Sequence, residues 1–439
     1  IVSDGWSVIR MGHELGTLYQ AYRSGENSPL PELPIQYADF AVWQREWMRG
    51  EMLEKQLEYW REELGGELPE LELPMDHPRP ARQSFHGAAE AIDYNGDILP
   101  RLKEIGRERN ATLFMTLLAA FDLLMWRYSG QADLLEGTPI ANRNRKETEG
   151  LIGFFVNTLV LRTKVNGNGT FRELLDQVRE TTLRAYEHQD VPFEKLVEEL
   201  QPERSLSRHP LFQVMFTLQD GGELKLSGLE LTWMDTANEI AKFDLSFFIS
   251  ETENGLYAWF EYDTELFERP TVARMLRHFG ALLDGIVANP DMRLSELPML
   301  TEAEQEQLRQ WNLTTTDYGR DLCLQQILET QVSQHPDAVA VVQGKEQFTY
   351  RELNERANQL AHYLREHGVG LDVRVGVLLE RSVNFVVAWL GIIKAGGTYV
   401  PLDGTYPKQR LQFMLEDADV RLLLTERNQP EVATSATEV

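Results

Sequence analysis

The sequence predicts an α/β protein, on two observations. From about residue 350 onward, helical and extended segments alternate, the pattern of a parallel sheet flanked by helices. Before that point helices and strands mix without internal repetition. With 42% hydrophobic residues, a chain of 439 has apolar material for two or three packed cores.

The elements are predicted in chain order. Ile1-Val2 reads as the end of a strand, followed by a tight turn at Asp4-Gly5. Leu102 to Tyr128 carries apolar residues at helical spacing and becomes almost wholly apolar after Leu113, which predicts one buried helix. Phe154 to Val165 is β-branched and aromatic and predicts a strand, closed by Asn166-Gly167-Asn168-Gly169. Phe171 to His188 is an amphipathic helix. Asp244 to Tyr262 reads as two strands joined at Glu253-Asn254-Gly255. Arg274 to Ala288 is a helix ended by Asn289-Pro290. Thr301 to Gly319 is polar and irregular after Trp311, as an interdomain linker is. The alternating part then runs helix Tyr350–His367, strand Val373–Leu379, helix Asn384–Lys394, an extended stretch Tyr399–Pro401, helix Lys408–Asp417 and strand Val420–Thr425.

Composition narrows the function. A net charge of −26 argues against an electrostatic binder of nucleic acid or of an anionic membrane. The single cysteine, Cys323, allows neither a disulfide framework nor a cysteine metal site. No apolar run reaches the ~18 residues of a membrane span, and no signal peptide is visible. These features lead us to expect a cytoplasmic protein.

Six islands carry more specific information: IVSDGWS (1–7), YADFAVWQ (37–44), GTPIANR (137–143), IGFFVNTLVLR (152–162), HQDVPFEKL (188–196) and RSLSRHPLF (204–212). In this order and spacing, over roughly residues 1 to 300, they resemble the condensation domain of nonribosomal peptide synthetases. FTYRELNERANQLAHYLR (348–365) and KAGGTYVPLD (394–403) resemble the first two core motifs of the adenylation domain that follows it in such assembly lines. The resemblance implies a chloramphenicol-acetyltransferase-like fold, mainly its second lobe, followed by a truncated α/β adenylate-forming domain. The division it implies is a condensation domain lacking its N-terminal part at 1–300, an interdomain linker at 301–322, and the N-terminal part of an AMP-binding domain at 323–439.

What the resemblance implies for the site follows from the family's motif of two histidines, three variable residues and Asp-Gly. Ile1, Val2 and Ser3 match the variable residues, and Asp4 and Gly5 match the Asp-Gly, so both histidines are expected upstream of Ile1. In the family the second is the proposed catalytic group, holding or deprotonating the acceptor amine as it attacks a thioester carbonyl. Asp4 is expected to form an ion pair that fixes the histidine loop, because a buried carboxylate without a partner is costly. Arg143 is the expected partner, through a bidentate guanidinium, with Arg145 and Arg162 as alternatives. Asn157 is expected near the substrate tunnel or, alternatively, in a cross-strand hydrogen bond. The implied partners are upstream and downstream peptidyl carrier domains bearing 4′-phosphopantetheine, with amino-acid and peptidyl thioesters as substrates. ATP and Mg2+ serve the complete adenylation domain.

Other candidates have plainer readings. His188 stands where a helix ends and Pro192 starts the next, so a capping role is favoured over catalysis. His13, His86, His209 and His278 have no acidic or nucleophilic context that points to a role, and no histidine–carboxylate spacing suggests a metal site. Leu64-Gly65-Gly66 resembles the carrier attachment motif, but Leu68 stands where the modified serine belongs. Lys394-Ala395-Gly396-Gly397 lacks the spacing and the Lys-Ser/Thr ending of a phosphate loop. Within the family, an epimerisation domain is a rival, although it continues its Asp motif with Ser-Trp-Arg where this chain has Trp6-Ser7-Val8. A heterocyclisation domain is another, since Asp4-Gly5-Trp6-Ser7 fits its Asp-x-x-Ser ending. A non-catalytic platform is the third. The VNT and HQDVPFE stretches favour simple condensation with an L-configured donor.

This reading predicts that residues 1–439 alone form no amide from two carrier-bound thioesters and show no amino-acid-dependent pyrophosphate exchange. Either activity in the purified chain overturns it.

Overall fold

The computed structural model describes residues 2–202, 205–219, 239–316 and 321–426, together with the backbone of a short strand at 437–438. The chain divides into two units, Ile1–Asn312 and Leu313–Val439.

In the first unit, three helices precede any strand: α1 (Gly5–Arg23), α2 (Tyr37–Trp47) and α3 (Gly50–Glu63). The expected strand end at Ile1-Val2 is not found. Ile1 lies outside the described residues, Val2 and Ser3 have no regular structure, and Asp4-Gly5 opens a helix rather than a turn. The reason is local: the Asp4 side chain accepts a hydrogen bond from the Ser7 amide, satisfying a free donor of the first helical turn. At the end of α3, a Cβ on Gly65 would fall 2.3 Å from the Arg61 carbonyl oxygen, and Gly66 has φ +82°. The glycine pair ends a helix, as the sequence indicated.

Six strands of this unit form one mixed sheet. The elements follow as β1 (Gly87–Asn95), α4 (Ile98–Glu108), α5 (Leu113–Ser129), β2 (Asp133–Ile140), α6 (Lys146–Glu149), β3 (Asn157–Lys164), α7 (Phe171–Glu187), α8 (Phe193–Leu200), β4 (Val214–Gln219), β5 (Leu245–Thr252), β6 (Gly255–Asp263), α9 (Arg269–Ala288) and α10 (Glu302–Trp311). The strand order is β1-β6-β5-β4-β2-β3, with β4 parallel to both its neighbours and the other pairs antiparallel. Helix α5 packs against β2 and β4 and is flanked by α4, α7 and α9.

The single helix expected over 102–128 is two, bent by 101°. Asn110 takes φ +54°, and Thr112 caps α5 by accepting from the Met115 amide. Helical spacing persists across the corner because both helices bury a face in the same core; the corner residues, not the apolar period, mark the break. Beyond it, Met115 to Met125 is buried without interruption, so α5 is enclosed on all sides, with Asp122 as its one buried acid.

The hairpin turn falls where Asn254-Gly255 predicts. Thr252 pairs with Gly255 across a two-residue loop, and Gly255 has φ +148°. The polar stretch after Thr301 begins with α10 instead of a bare linker. Thr301 and Glu304 form a capping box, and the same Glu304 carboxylate meets Nε2 of buried His278 on α9 at 3.0 Å, while His278 Nδ1 meets the Tyr128 hydroxyl at 2.7 Å. His278 therefore has the acidic partner that its sequence neighbourhood did not reveal.

The second unit holds α11 (Leu324–Gln334), the hairpin β7 (Val339–Gln343) and β8 (Glu346–Thr349), α12 (Tyr350–Glu366), β9 (Arg374–Leu378), α13 (Val383–Ala395), β10 (Thr398–Pro401), α14 (Lys408–Asp417), β11 (Leu422–Thr425) and β12 (Thr437–Glu438). Its sheet, β10-β9-β11-β12, is parallel throughout, which is what the strand–helix alternation predicts.

Gly255→Ala tests the tightest turn. A Cβ there falls 2.1 Å from the Tyr94 carbonyl oxygen at a φ that side chains disfavour. The variant should lose about 2–4 kcal/mol in chemical denaturation of the first unit.

Candidate active site

Four of the six islands converge at the N-terminus of α1, and a fifth is tied to them through Asn157. Asp4 Oδ1 accepts from the Ser7 amide at 2.8 Å, the Ser7 hydroxyl at 2.7 Å and Arg143 Nη2 at 3.2 Å. Its Oδ2 accepts from the amides of Phe155 at 2.9 Å and Val156 at 3.3 Å. Those two amides explain why β3 begins at Asn157 and not at the expected Phe154: they bond to a carboxylate instead of a neighbouring strand. The Asp4 and Arg143 side chains are 4% and 2% exposed, so the pair is desolvated and its remaining hydrogen-bonding capacity must be met inside the protein.

Arg143 meets most of that demand through four acceptors, and only its buried Nε has no partner among the described residues. Nη1 donates to the carbonyls of Thr148 and Leu151, and Nη2 to Asp4 and to the Ser7 hydroxyl. Its guanidinium carbon lies 4.0 Å from the centre of the Phe155 ring. The pairing with Asp4 uses one nitrogen and one oxygen; it is not the bidentate fork expected from sequence, because backbone amides take the second carboxylate oxygen. Of the alternatives, Arg145 lies over the Trp43 ring at 4.1 Å, and Arg162 pairs with Asp133.

Ser7 was read only as the end of an Asp-x-x-Ser pattern, and its place in the cluster was not foreseen. It is fully buried, and its hydroxyl accepts from Arg143 Nη2 and from the Gly153 amide at 3.1 Å. Its single proton lies between two acceptors, Asp4 Oδ1 and the Gly153 carbonyl, each at 2.7 Å. The available signal was the Asp-x-x-Ser spacing, which also places a side chain at the third helical position behind an N-cap. Tyr37 of the second island closes the arrangement. Its hydroxyl donates to the Phe154 carbonyl at 2.8 Å, and its ring lies where a Cβ on Gly153 would fall. Gly5, by contrast, begins the helix with nothing within 4 Å of a Cβ position, so no local contact demands a glycine there.

Burial by itself would raise the Asp4 carboxyl pKa. The bonds from the Ser7 hydroxyl and from the Phe155 and Ser7 amides, with the Arg143 charge, outweigh burial and hold it below its ordinary 3.8. The group is thus ionised at neutral pH, with its lone pairs occupied. It can position a neighbour but has little capacity to take a proton.

Asn157 connects the fifth island. Its amide nitrogen donates to the carbonyls of Gln189 and Val191 at 2.9 and 2.7 Å, and its oxygen accepts from the Phe193 amide at 3.0 Å. This is a clamp on the 189–193 turn and not the cross-strand bond considered from sequence. His188 caps α7 and stacks on Tyr59 at 4.1 Å, consistent with the plainer reading. In the sixth island, of which Arg204 lies outside the described residues, the Phe212 ring occupies the space where Gly137 would carry a Cβ, 2.3 Å from that position.

The glycine-rich stretch at 394–397 does not suit a cofactor phosphate. Lys394 is buried and paired with Glu329, and Gly396, at φ +88°, closes the C-terminal end of α13, the negative end of the helix dipole. No cluster of three metal-ligating side chains occurs among the described residues. No single helix among them is long and apolar enough to cross a membrane.

The family described as "Condensation domain" matches residues 1–309, and that described as "AMP-binding enzyme" matches residues 328–439. Over 436 residues the chain is 50% identical to a linear gramicidin synthase of Brevibacillus parabrevis, covering 98% of this chain and 8% of that protein. In fold it is similar to a holo four-domain nonribosomal peptide synthetase bound to AMP and glycine, with TM-score 0.82 and 24% identity over 100% of this chain and 34% of that one. It is also similar to the X-domain solved in complex with OxyB from teicoplanin biosynthesis, with TM-score 0.62 and 30% identity over 69% of this chain and 68% of that one.

Asp4→Asn should cost about 3 kcal/mol of first-unit stability at pH 7, as for one partner removed from a buried pair. Because the folded-state pKa is depressed, the Asp4 contribution is present above pH 3.8 and is lost as pH falls through the lower folded value. Denaturation of wild type and variant should therefore differ constantly from pH 5 to 8 and converge in acid.

Proposed function

Because the chain belongs to the nonribosomal peptide synthetases, with a condensation domain leading into the start of an AMP-binding domain, we propose that its first unit carries the amide-forming site of such an enzyme. The observation that supports this is the buried Asp4–Ser7–Arg143 cluster, at the position of the family's Asp-Gly. In the family's motif two histidines precede the Asp-Gly, separated from it by three residues, and here Asp4 is tied to the 153–156 segment. In the proposed reaction the second imidazole holds or accepts a proton of the acceptor amine. The amine nitrogen attacks the donor thioester carbonyl, the new C–N bond forms, the C–S bond breaks, and the donor carrier's thiol leaves with a proton. Asp4 and Arg143 are positioning residues in this scheme, and Asn157 supports the turn at 189–193.

The chain spans less than a tenth of the length of the gramicidin synthase, so substrates and partners are likewise proposed. They are two peptidyl carrier domains with phosphopantetheine-bound thioesters, the donor being L-configured, as the VNT and HQDVPFE stretches suggest. ATP and Mg2+ are proposed for the complete AMP-binding domain only. The interdomain stretch, expected over 301–322, is proposed to begin only after α10, whose Glu304 is fixed to His278. A second reading, a recruiting platform without catalysis, draws on the likeness to an X-domain solved in complex with another protein, OxyB.

The test is amide formation between two carrier-bound thioesters by an enzyme carrying these residues behind a His-His pair. Asp4→Ala should lower the rate by about 100-fold, the loss typical of a misplaced catalytic group, while circular dichroism still reports folded protein. An unchanged rate removes the positioning role. No product from the unmutated enzyme favours the platform.

A further inference from the structure

Two carboxyl groups lie in the core of the first unit with no cation beside them among the described residues. Asp122, midway along α5, is 0% exposed, and Glu136, on β2, is 1% exposed. Glu136 stands in register with Leu161 of β3 and Val214 of β4, so its strand neighbours offer no charge. None of the four carboxyl oxygens meets a hydrogen-bond donor in ideal geometry among the described residues, yet the two groups are in contact with each other, and the Thr163 side chain of β3 borders Asp122. An ionised carboxylate can only accept. Their contact becomes a hydrogen bond only when one of them keeps a proton.

We infer that Asp122 and Glu136 share a proton at neutral pH, forming an alkali-sensitive switch beneath the strand that leads to Arg143. Strand β2 ends at Ile140, three residues before Arg143, so a second charge at Glu136 acts on the support of the candidate site. This inference does not depend on the proposed reaction.

The surroundings favour the protonated form. Burial is the largest influence on both groups and raises both; for Glu136 the Asp122 charge raises it further. No cation of the described residues packed on α5 and β2 offsets this. Strand β4 carries no charged residue. Arg162 of β3 is held by Asp133, and Arg109 beyond α4 by Asp176. His278 of α9 is held between Tyr128 and Glu304, and Arg172 of α7 by Glu108 and Asp291. Arg179 of α7, Arg127 of α5 and the α4 cations do not figure among the influences on either carboxyl.

The sign follows from linkage. Both groups bind protons more tightly folded than unfolded, so their contribution favours folding in mild acid. It declines as pH rises from the ordinary carboxylate range through the raised folded values.

Calorimetry of the purified chain from pH 5.5 to 9 tests this with wild type, Glu136→Gln and Asp122→Asn. The first-unit Tm of Glu136→Gln should equal that of wild type at pH 5.5 and exceed it by about 5–10 °C at pH 9. Infrared spectroscopy of wild type at pH 7.5 should show a protonated-carboxyl C=O band that Asp122→Asn or Glu136→Gln removes, which keeps the inference testable if one variant fails to fold. Parallel Tm curves, or no protonated-carboxyl band in wild type, overturn it.

Discussion

The first unit is organised around a buried carboxylate that must not be left alone. Asp4 brings a full negative charge to a place with almost no solvent, where the penalty for an unpaired ion exceeds most single interactions in a protein. Its donors come from α1, from the 153–156 segment and from Arg143 beyond β2. Satisfying one side chain therefore fixes three pieces of chain relative to one another. The start of β3, the burial of Ser7 and the ring of Phe155 against the guanidinium all follow from the same requirement. The cluster works as a joint whose rigidity comes from the cost of opening it.

Much of the fold was legible because apolar periodicity reports burial directly. The parallel elements of the second unit and the Asn254-Gly255 hairpin were read within a few residues, and the burial of 113–128 was read correctly although not as a separate helix. The failures share a cause. Periodicity cannot see a change of direction, so the corner at Asn110 passed as one helix. Propensity cannot see where a backbone amide finds its acceptor, so Phe154 to Val156 passed as strand. Asp-Gly suits both a turn and a helix cap, and only the position of Ser7 decides between them.

The site was legible in its members and less so in its bonding. Arg143 could be chosen from its small-residue, proline-containing context, but not the loss of the fork to two competing amides. The burial of Ser7 was not foreseen because a serine hydroxyl carries no sequence signature of burial. Asn157 was expected near the substrate tunnel or in a cross-strand bond, and its amide, instead of bridging strands, holds the backbone of a turn. His278 was dismissed because its partner lies on another helix, and spacing in sequence says nothing of such a meeting.

The contact between Gly137 and Phe212 has a consequence for how this protein can vary. The ring fills the space of the missing side chain, so any residue other than glycine at 137 requires a smaller one at 212, and an enlarged residue at 212 has no room to retreat. Two motifs far apart in the chain are thereby bound into one unit of inheritance. A side chain gained at 137 thus depends on a companion change at 212, whereas a smaller residue at 212 does not depend on 137.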